Sequence, residues 1–163
     1  METKREEEIT RDIKSRFPDI ELAEVRRARR IWVDVNVNNL LDLLRFLKEK
    51  GFYHLSTISG FDEGQNLGAI YHITDSSIVI NVRVRVSKNE PNIPSVLGIY
   101  PSATSYEREI VDLFGITVKG LPPGRNYPLP EGFPKGVYPL RKDVKLDELN
   151  KMLDEKCMKE EGK

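Results

Sequence analysis

At 163 residues the chain is long enough for one domain with a real core plus tails, and short for two. Lys and Arg number 26 against 26 Asp and Glu, so no global field draws it toward nucleic acid or an anionic membrane. No run approaches the roughly 20 apolar residues that cross a bilayer, and the opening METKREEEITRD lacks the apolar centre of a signal peptide, so a cytoplasmic chain that meets a membrane only through partners is expected.

Glu2 to Arg16 is highly charged, with Ile9, Ile13 and Phe17 in one narrow stripe, which predicts a helix ending before Pro18. Ile20 to Val25 alternates as a strand. Arg26, Arg27, Arg29 and Arg30 follow, and a turn neutralised by Glu21, Glu24 and Asp34 is favoured over a phosphate grip. Ile31, Val33, Val35 and Val37 face one way in the next strand. Asn38 or Asn39 should then cap a helix striped by Leu40, Leu43, Leu44 and Leu47 and stopped by Gly51. Tyr53 to Ser59 predicts a strand, Gly60 to Gly68 a loop, and Ala69 to Ile73 the returning strand. Asp75, Ser76 and Ser77 make a tight turn into a strand over Ile78 to Val86. That strand has Ile78, Ile80, Val82, Val84 and Val86 on one face and Asn81, Arg83 and Arg85 on the other, so helices should cover one side of the sheet only. Pro94 to Tyr100 fits either a short helix or an extended piece.

From Tyr100 to Asp143 the sequence reads YPSATSYEREIVDLFGITVKGLPPGRNYPLPEGFPKGVYPLRKD. Thr104-x-x-Glu107 matches a capping box, and Tyr106, Ile110, Leu113 and Phe114 share a stripe. Glu107, Arg108, Glu109 and Asp112 lie elsewhere on that helix, Arg108 and Asp112 one turn apart and able to pair. Gly115 suits a left-handed cap, and Ile116 to Val118 reads as a short strand. Six prolines between Pro122 and Pro139 forbid helix or central strand, yet Leu121, Tyr127, Leu129, Phe133, Val137, Tyr138 and Leu140 make the stretch too apolar for a solvated linker. It reads as an arm lying on a surface, its own or a partner's. Val144 to Lys159 predicts a last helix with Leu146, Leu149 and Leu153 as its inner stripe. The expected fold is therefore a two-layer α+β domain with a mixed, largely antiparallel sheet covered by helices on one side, over residues 1–120, then the extended Pro/Gly-rich arm, 121–143, and a helical tail, 144–163.

SYEREIVDLFGI followed by a Pro/Gly-rich connector and YPLRKD resembles the 30 kDa subunit family of respiratory complex I and the related membrane-bound energy-converting hydrogenases. The likeness departs from the family pattern at Ser105, at Gly120-Leu121-Pro122 and at Arg125-Asn126. It implies an accessory subunit in a redox complex, packed beside a large catalytic subunit of nickel-iron or quinone-site type and an adjacent small iron-sulfur subunit, at the inner face of the cell membrane. On that resemblance the partner-facing residues are Tyr106, Glu107, Arg108, Glu109, Asp112, Phe114, Arg125, Tyr127, Phe133, Tyr138, Arg141, Lys142 and Asp143. It leans toward the hydrogenase branch, with a quinone-reducing NADH dehydrogenase as the alternative.

Independent chemistry is sparse. One Cys, Cys157, and two His cannot alone build an iron-sulfur or structural zinc site. Neither His54 nor His72 has a Ser, Asp or Cys at triad spacing. Glu107 and Glu109 stand two apart on a helix and cannot act as a dyad. No cofactor, metal site or catalytic residue is expected. The rival readings are a nucleic-acid-binding module using Arg83, Arg85 and the arginine turn, and a free-standing enzyme.

Overall fold

The computed structural model describes residues 3–161, with side chains to Asp154, so Glu2 and the Cys157 thiol lie outside it. Helix α1 spans Lys4–Arg16, strand β1 Leu22–Arg27 and β2 Arg30–Val35; a 3-10 turn at Val37–Asn39 leads into α2, Leu40–Glu49. Strands β3 (His54–Asp62), β4 (Asn66–Thr74) and β5 (Val79–Ser87) form a meander. Strand β6 (Asn92–Pro94), helix α3 (Thr104–Phe114), strand β7 (Thr117–Lys119) and helix α4 (Leu146–Glu161) complete the order. Five strands pair in the order β1-β2-β5-β4-β3, antiparallel except for the parallel β2-β5 pair, and β6 pairs with β7 in parallel. The mixed sheet of an α+β fold is as expected.

Register explains why one face is dry. Val33 opposes Val82, Val82 opposes Tyr71 and Tyr71 opposes Ile58, all on the same face. Ile9 and Ile13 of α1, Leu43, Leu44 and Leu47 of α2, and Ile110 and Phe114 of α3 join these residues in one buried cluster. A β-branched or leucine side chain buried there contributes about 1.5–3 kcal/mol before entropy is counted. The opposite face carries Trp32, Asp34, Asn81, Arg83 and Arg85.

Four local expectations need correction. The supposed Gly60–Gly68 loop is only the short turn between β3 and β4; Gly60 and Gly68 are paired within the strands, opposite Ala69 and Phe61. Glycine stands at Gly60 because α3 sits on it: a Cβ there would lie 2.5 Å from the Phe114 ring. Before α2 the capping side chain is Asn36, whose Oδ1 accepts from Asn38 N at 3.0 Å, and neither Asn38 nor Asn39 takes that role. The capping box is also absent, since Glu107 bonds elsewhere and α3 has no side-chain cap. Pro94 to Tyr100 is neither helix nor one extended piece: Pro94 ends β6, turns follow, and Pro101–Ala103 is a 3-10 turn into α3. On α4, Leu149 and Leu153 are half-buried but Leu146 is 70% exposed, so the stripe is not uniformly inward.

Candidate functional site

The motif helix divides into a locked inner face and an outer face that holds the arm. On the inner face Glu107 is wholly buried and accepts from Val96 N at 2.6 Å and Ser95 Oγ at 2.8 Å, fastening α3 to the turn after β6. Burial pushes its carboxyl above the usual range, and these two bonds only partly offset that. Burial likewise drives the Tyr71 phenol far up, helped by the nearby Glu107 charge. Glu107 thus belongs to the interior, which corrects its assignment to an exposed partner face. Phe114 is also interior, its ring filling the space left by Gly60. Tyr106 is half-buried against the core, and Glu109 is half-buried on the same helix.

The outer face meets the arm along its length. Arg108 Nη2 donates to Pro123 O at 3.4 Å, and Asp112 Oδ2 accepts from Tyr127 N at 2.6 Å; each is turned to the arm, and the expected Arg108–Asp112 pair is not formed. Leu140 N donates to Leu113 O at 3.1 Å. Arg125 and Tyr127 are exposed, while Phe133 is half-buried in a hollow shared with Val111 and Leu129.

YPLRKD is a clasp. Gly115 caps α3 with φ 67°, the left-handed value expected of it, and the Tyr138 ring packs where a Cβ would otherwise project. Arg141 donates to Phe114 O at 2.6 Å and to Gly115 O at 3.4 Å, and its guanidinium lies 4.4 Å over the Tyr138 ring. A cation therefore sits on the carbonyl end of the helix, where the dipole favours it. Lys142 N donates to Asp62 Oδ2 at 2.9 Å, and Lys88 Nζ bridges Asp62 at 3.0 Å and Asp143 at 3.2 Å. Burial alone would raise the Asp62 carboxyl, but the N–H groups of Lys142 and Gly64 and the Lys88 ammonium outweigh it and hold it at about 2. Sequence reasoning assigns Asp62 to turn chemistry and passes over Lys88 and Ser95; their partners stand far along the chain, and no local spacing signals them.

Two further groupings bear on the rival readings. On the open sheet face Arg83 forms two bonds to the Asp34 carboxylate, and Arg85 reaches Asp34 at 3.1 Å and Glu63 at 2.8 Å, so both arginines are neutralised. Arg83 and Arg26 also flank the Trp32 ring, at 5.7 and 4.8 Å. His72, for which no triad spacing is visible in the sequence, does meet Ser59 Oγ at 3.0 Å through Nε2 and Asn81 Oδ1 at 2.7 Å through Nδ1. Asn81 spends its amide N–H on Ile31 O, so its oxygen accepts and Nδ1 of His72 carries the proton. The row runs across β3, β4 and β5 on a flat face and ties the strands together. Among the described residues no three His, Cys, Asp or Glu side chains are grouped to hold a metal, and no helix is long and apolar enough to cross a membrane.

This geometry defines a class: an α+β domain whose most distinctive residues fasten a proline-rich arm to one helix. Residues 33–150 match the respiratory-chain NADH dehydrogenase 30 Kd subunit, and the chain belongs to that family. It is 30% identical over 148 residues to membrane-bound hydrogenase subunit beta of Pyrococcus furiosus, covering 85% of this chain and 86% of that one. It is 37% identical over 134 residues to formate hydrogenlyase subunit 5 of Escherichia coli, covering 78% of this chain but 24% of that longer one. Its fold is similar to a chain in the structure of the membrane-bound sulfane sulfur reductase, an archaeal respiratory membrane complex, with a TM-score of 0.76, 29% identity and 92% of each chain covered. Its relatives are thus subunits of complex I-like and hydrogenase membrane complexes, consistent with a subunit role for this chain and a peripheral place at the membrane.

Proposed function

We propose that this chain is a non-catalytic accessory subunit that docks on the large catalytic subunit of a membrane-associated redox complex, beside the small iron-sulfur subunit, on the cytoplasmic side. The observation that carries the reading is the match to formate hydrogenlyase subunit 5, in which the same domain occupies 24% of a longer polypeptide. A domain that tolerates covalent attachment to a larger body is suited to standing permanently against one. Its own interior supports this: the motif residues are spent on packing and on holding the arm, and the tail presents apolar side chains outward, Leu140 at 53% and Leu146 at 70% exposure. Residues 121–143 and α4 are in this reading the part that reaches the neighbour, with Arg125, Tyr127, Phe133 and Tyr138 along the arm. The near full-length match to a hydrogenase subunit favours the hydrogenase-type branch; electron transfer belongs to other chains in either branch.

Native mass spectrometry of the complex drawn from its source through a tag on this chain tests the reading. Stoichiometric recovery of a large catalytic and a small iron-sulfur subunit is expected. Recovery of the chain alone under mild detergent, or turnover of a redox substrate by the purified chain, overturns it. The neutralised Arg83 and Arg85 weigh against the nucleic-acid alternative, since a cation already paired with a carboxylate has little to release counterions with.

A further inference from the structure

We propose that the groove between α3 and the start of the arm is a carboxylate-binding socket, in which Arg108 and Arg125 receive an acidic side chain from the large neighbouring subunit. This rests on the docking role just given and names where the contact is made. The groove holds about 350 Å3, with Val111, Ile116, Leu121 and Tyr138 among its walls and Arg108 and Arg125 both lining it. That is room for one or two side chains.

Arg108 is held but not used. Its guanidinium lies flat against Gly124, where a Cβ would stand 2.1 Å from Nη2 and 2.4 Å from Cζ, so only glycine permits the approach. A guanidinium offers five N–H donors, yet among the described residues the acceptor it meets is Pro123 O, at 3.4 Å. Asp112, one helical turn on and its natural partner, is instead committed to Tyr127 N at 2.6 Å. The chain thus fixes the plane of an arginine and withholds the carboxylate that would satisfy it. A pre-held fork favours bidentate recognition of a carboxylate, because little side-chain entropy remains to be lost on binding. Apolar walls beside the fork suit an Asp or Glu flanked by apolar residues on a loop or helix end of the partner. A phosphate backbone is the poorer fit: the arginines of the open sheet face that would extend a basic track are already paired with Asp34 and Glu63.

The test uses the assembled complex, pulled down through a tag on the large subunit at about 0.15 M salt. Arg108→Glu and Arg125→Glu should each lower recovery of this chain at least about tenfold, as charge reversal at a close ion pair does. Circular dichroism of the separately purified variants confirms that they fold. Gly124→Ala, which displaces the guanidinium without removing charge, should weaken recovery in the same direction. In complexes carrying Arg108→Lys or Arg125→Lys, a zero-length carbodiimide should couple position 108 or 125 to an Asp or Glu of the large subunit. Undiminished recovery of both Glu variants, or couplings confined to this chain's own carboxylates such as Asp112, overturns the socket and leaves the docking role standing. Failure of the wild-type chain to be recovered at all removes both.

Discussion

Glu107 gives the sharpest test of how this fold is held, because its carboxylate is wholly buried and meets two donors and no cation. Glu107→Ala strands Val96 N–H and the Ser95 hydroxyl, each costing about 1–3 kcal/mol when left unpaired in the interior. Relief from burying an unpaired charge offsets part of that, so a net loss of about 2–4 kcal/mol is expected. In a domain of this size that lowers the melting temperature by on the order of 5–15 °C. Glu107→Gln keeps an oxygen for Val96 N–H and presents an amide that the Ser95 oxygen can accept from, and should stay within about 1 kcal/mol of wild type near pH 5. The two proteins then diverge with pH. Burial raises the folded-state pKa of Glu107, so in the interval above the unfolded value the folded protein holds more protons, and this contribution to stability declines as pH rises. Gln cannot titrate, so Glu107→Gln should gain on wild type between acid and neutral pH. Urea melts of all three proteins at several pH values supply the measurement. An Ala variant within about 0.5 kcal/mol of wild type, or parallel pH dependences for wild type and the Gln variant, would refute this account of α3.

Gly60→Ala places a methyl 2.5 Å from the Phe114 ring, and the overpacking should cost about 1–3 kcal/mol; adding Phe114→Leu should recover part of it, and additive losses in a double-mutant cycle would disprove the contact. Gly115→Val forces a β-branched residue to φ 67° and into the Tyr138 ring, so the melting temperature should fall, by at least the roughly 1–2 kcal/mol of left-handed strain; unchanged melting would show the cap to be wrong. Arg141→Ala removes a guanidinium from the end of α3, about 1–2 kcal/mol of local contact; the core should still fold while trypsin cuts the arm faster, and an unchanged cleavage rate would break the clasp. Asp62 titrates with the opposite sign to Glu107: its folded pKa is depressed to about 2, so its contribution is complete above the ordinary carboxylate range and is lost as pH falls toward that value. Pepsin should therefore attack the arm increasingly below about pH 4, and Asp62→Asn should be equally susceptible at pH 4 and pH 2.5.

Much of the fold was legible because it is written in periods. The two-residue alternation of Ile78 to Val86 specified both the strand and the face that would be buried, and the leucines of α2 specified a helix and its stripe. Gly115 was legible for a different reason, since the left-handed position ending a helix excludes most other residues. Gly60 misled for the converse reason: a glycine within a strand and a glycine in a loop look alike until the ring that occupies its missing side chain is located, here Phe114, far along the sequence. Glu107 misled similarly. Its spacing from Thr104 satisfied a local pattern, but the Val96 amide, buried and otherwise unpaired, made the stronger claim on the carboxylate.

The two halves of the motif are each readable, and what escapes a sequence reading is that they serve one another. Arg141 reads as partner-facing because a surface arginine beside a helix of charges has no evident use within its own chain. In the fold it closes the helix that the first half builds, while Lys142 and Asp143 fasten the same segment to β3 and β5 through Asp62 and Lys88. Three attachments within three residues fix both the position and the direction in which the chain leaves the domain, so α4 starts from a defined point rather than from a free linker. Such an exit costs a neighbour less ordering entropy on binding than a loose tail would. The clasp residues therefore act on assembly indirectly, by aiming α4, whereas Arg108 and Arg125 act by contact. The two roles separate experimentally: loss of Arg141 should be tolerated better when the arm is held by an added cross-link between positions 115 and 138, where a ring already fills the space over the backbone, and loss of Arg108 should not.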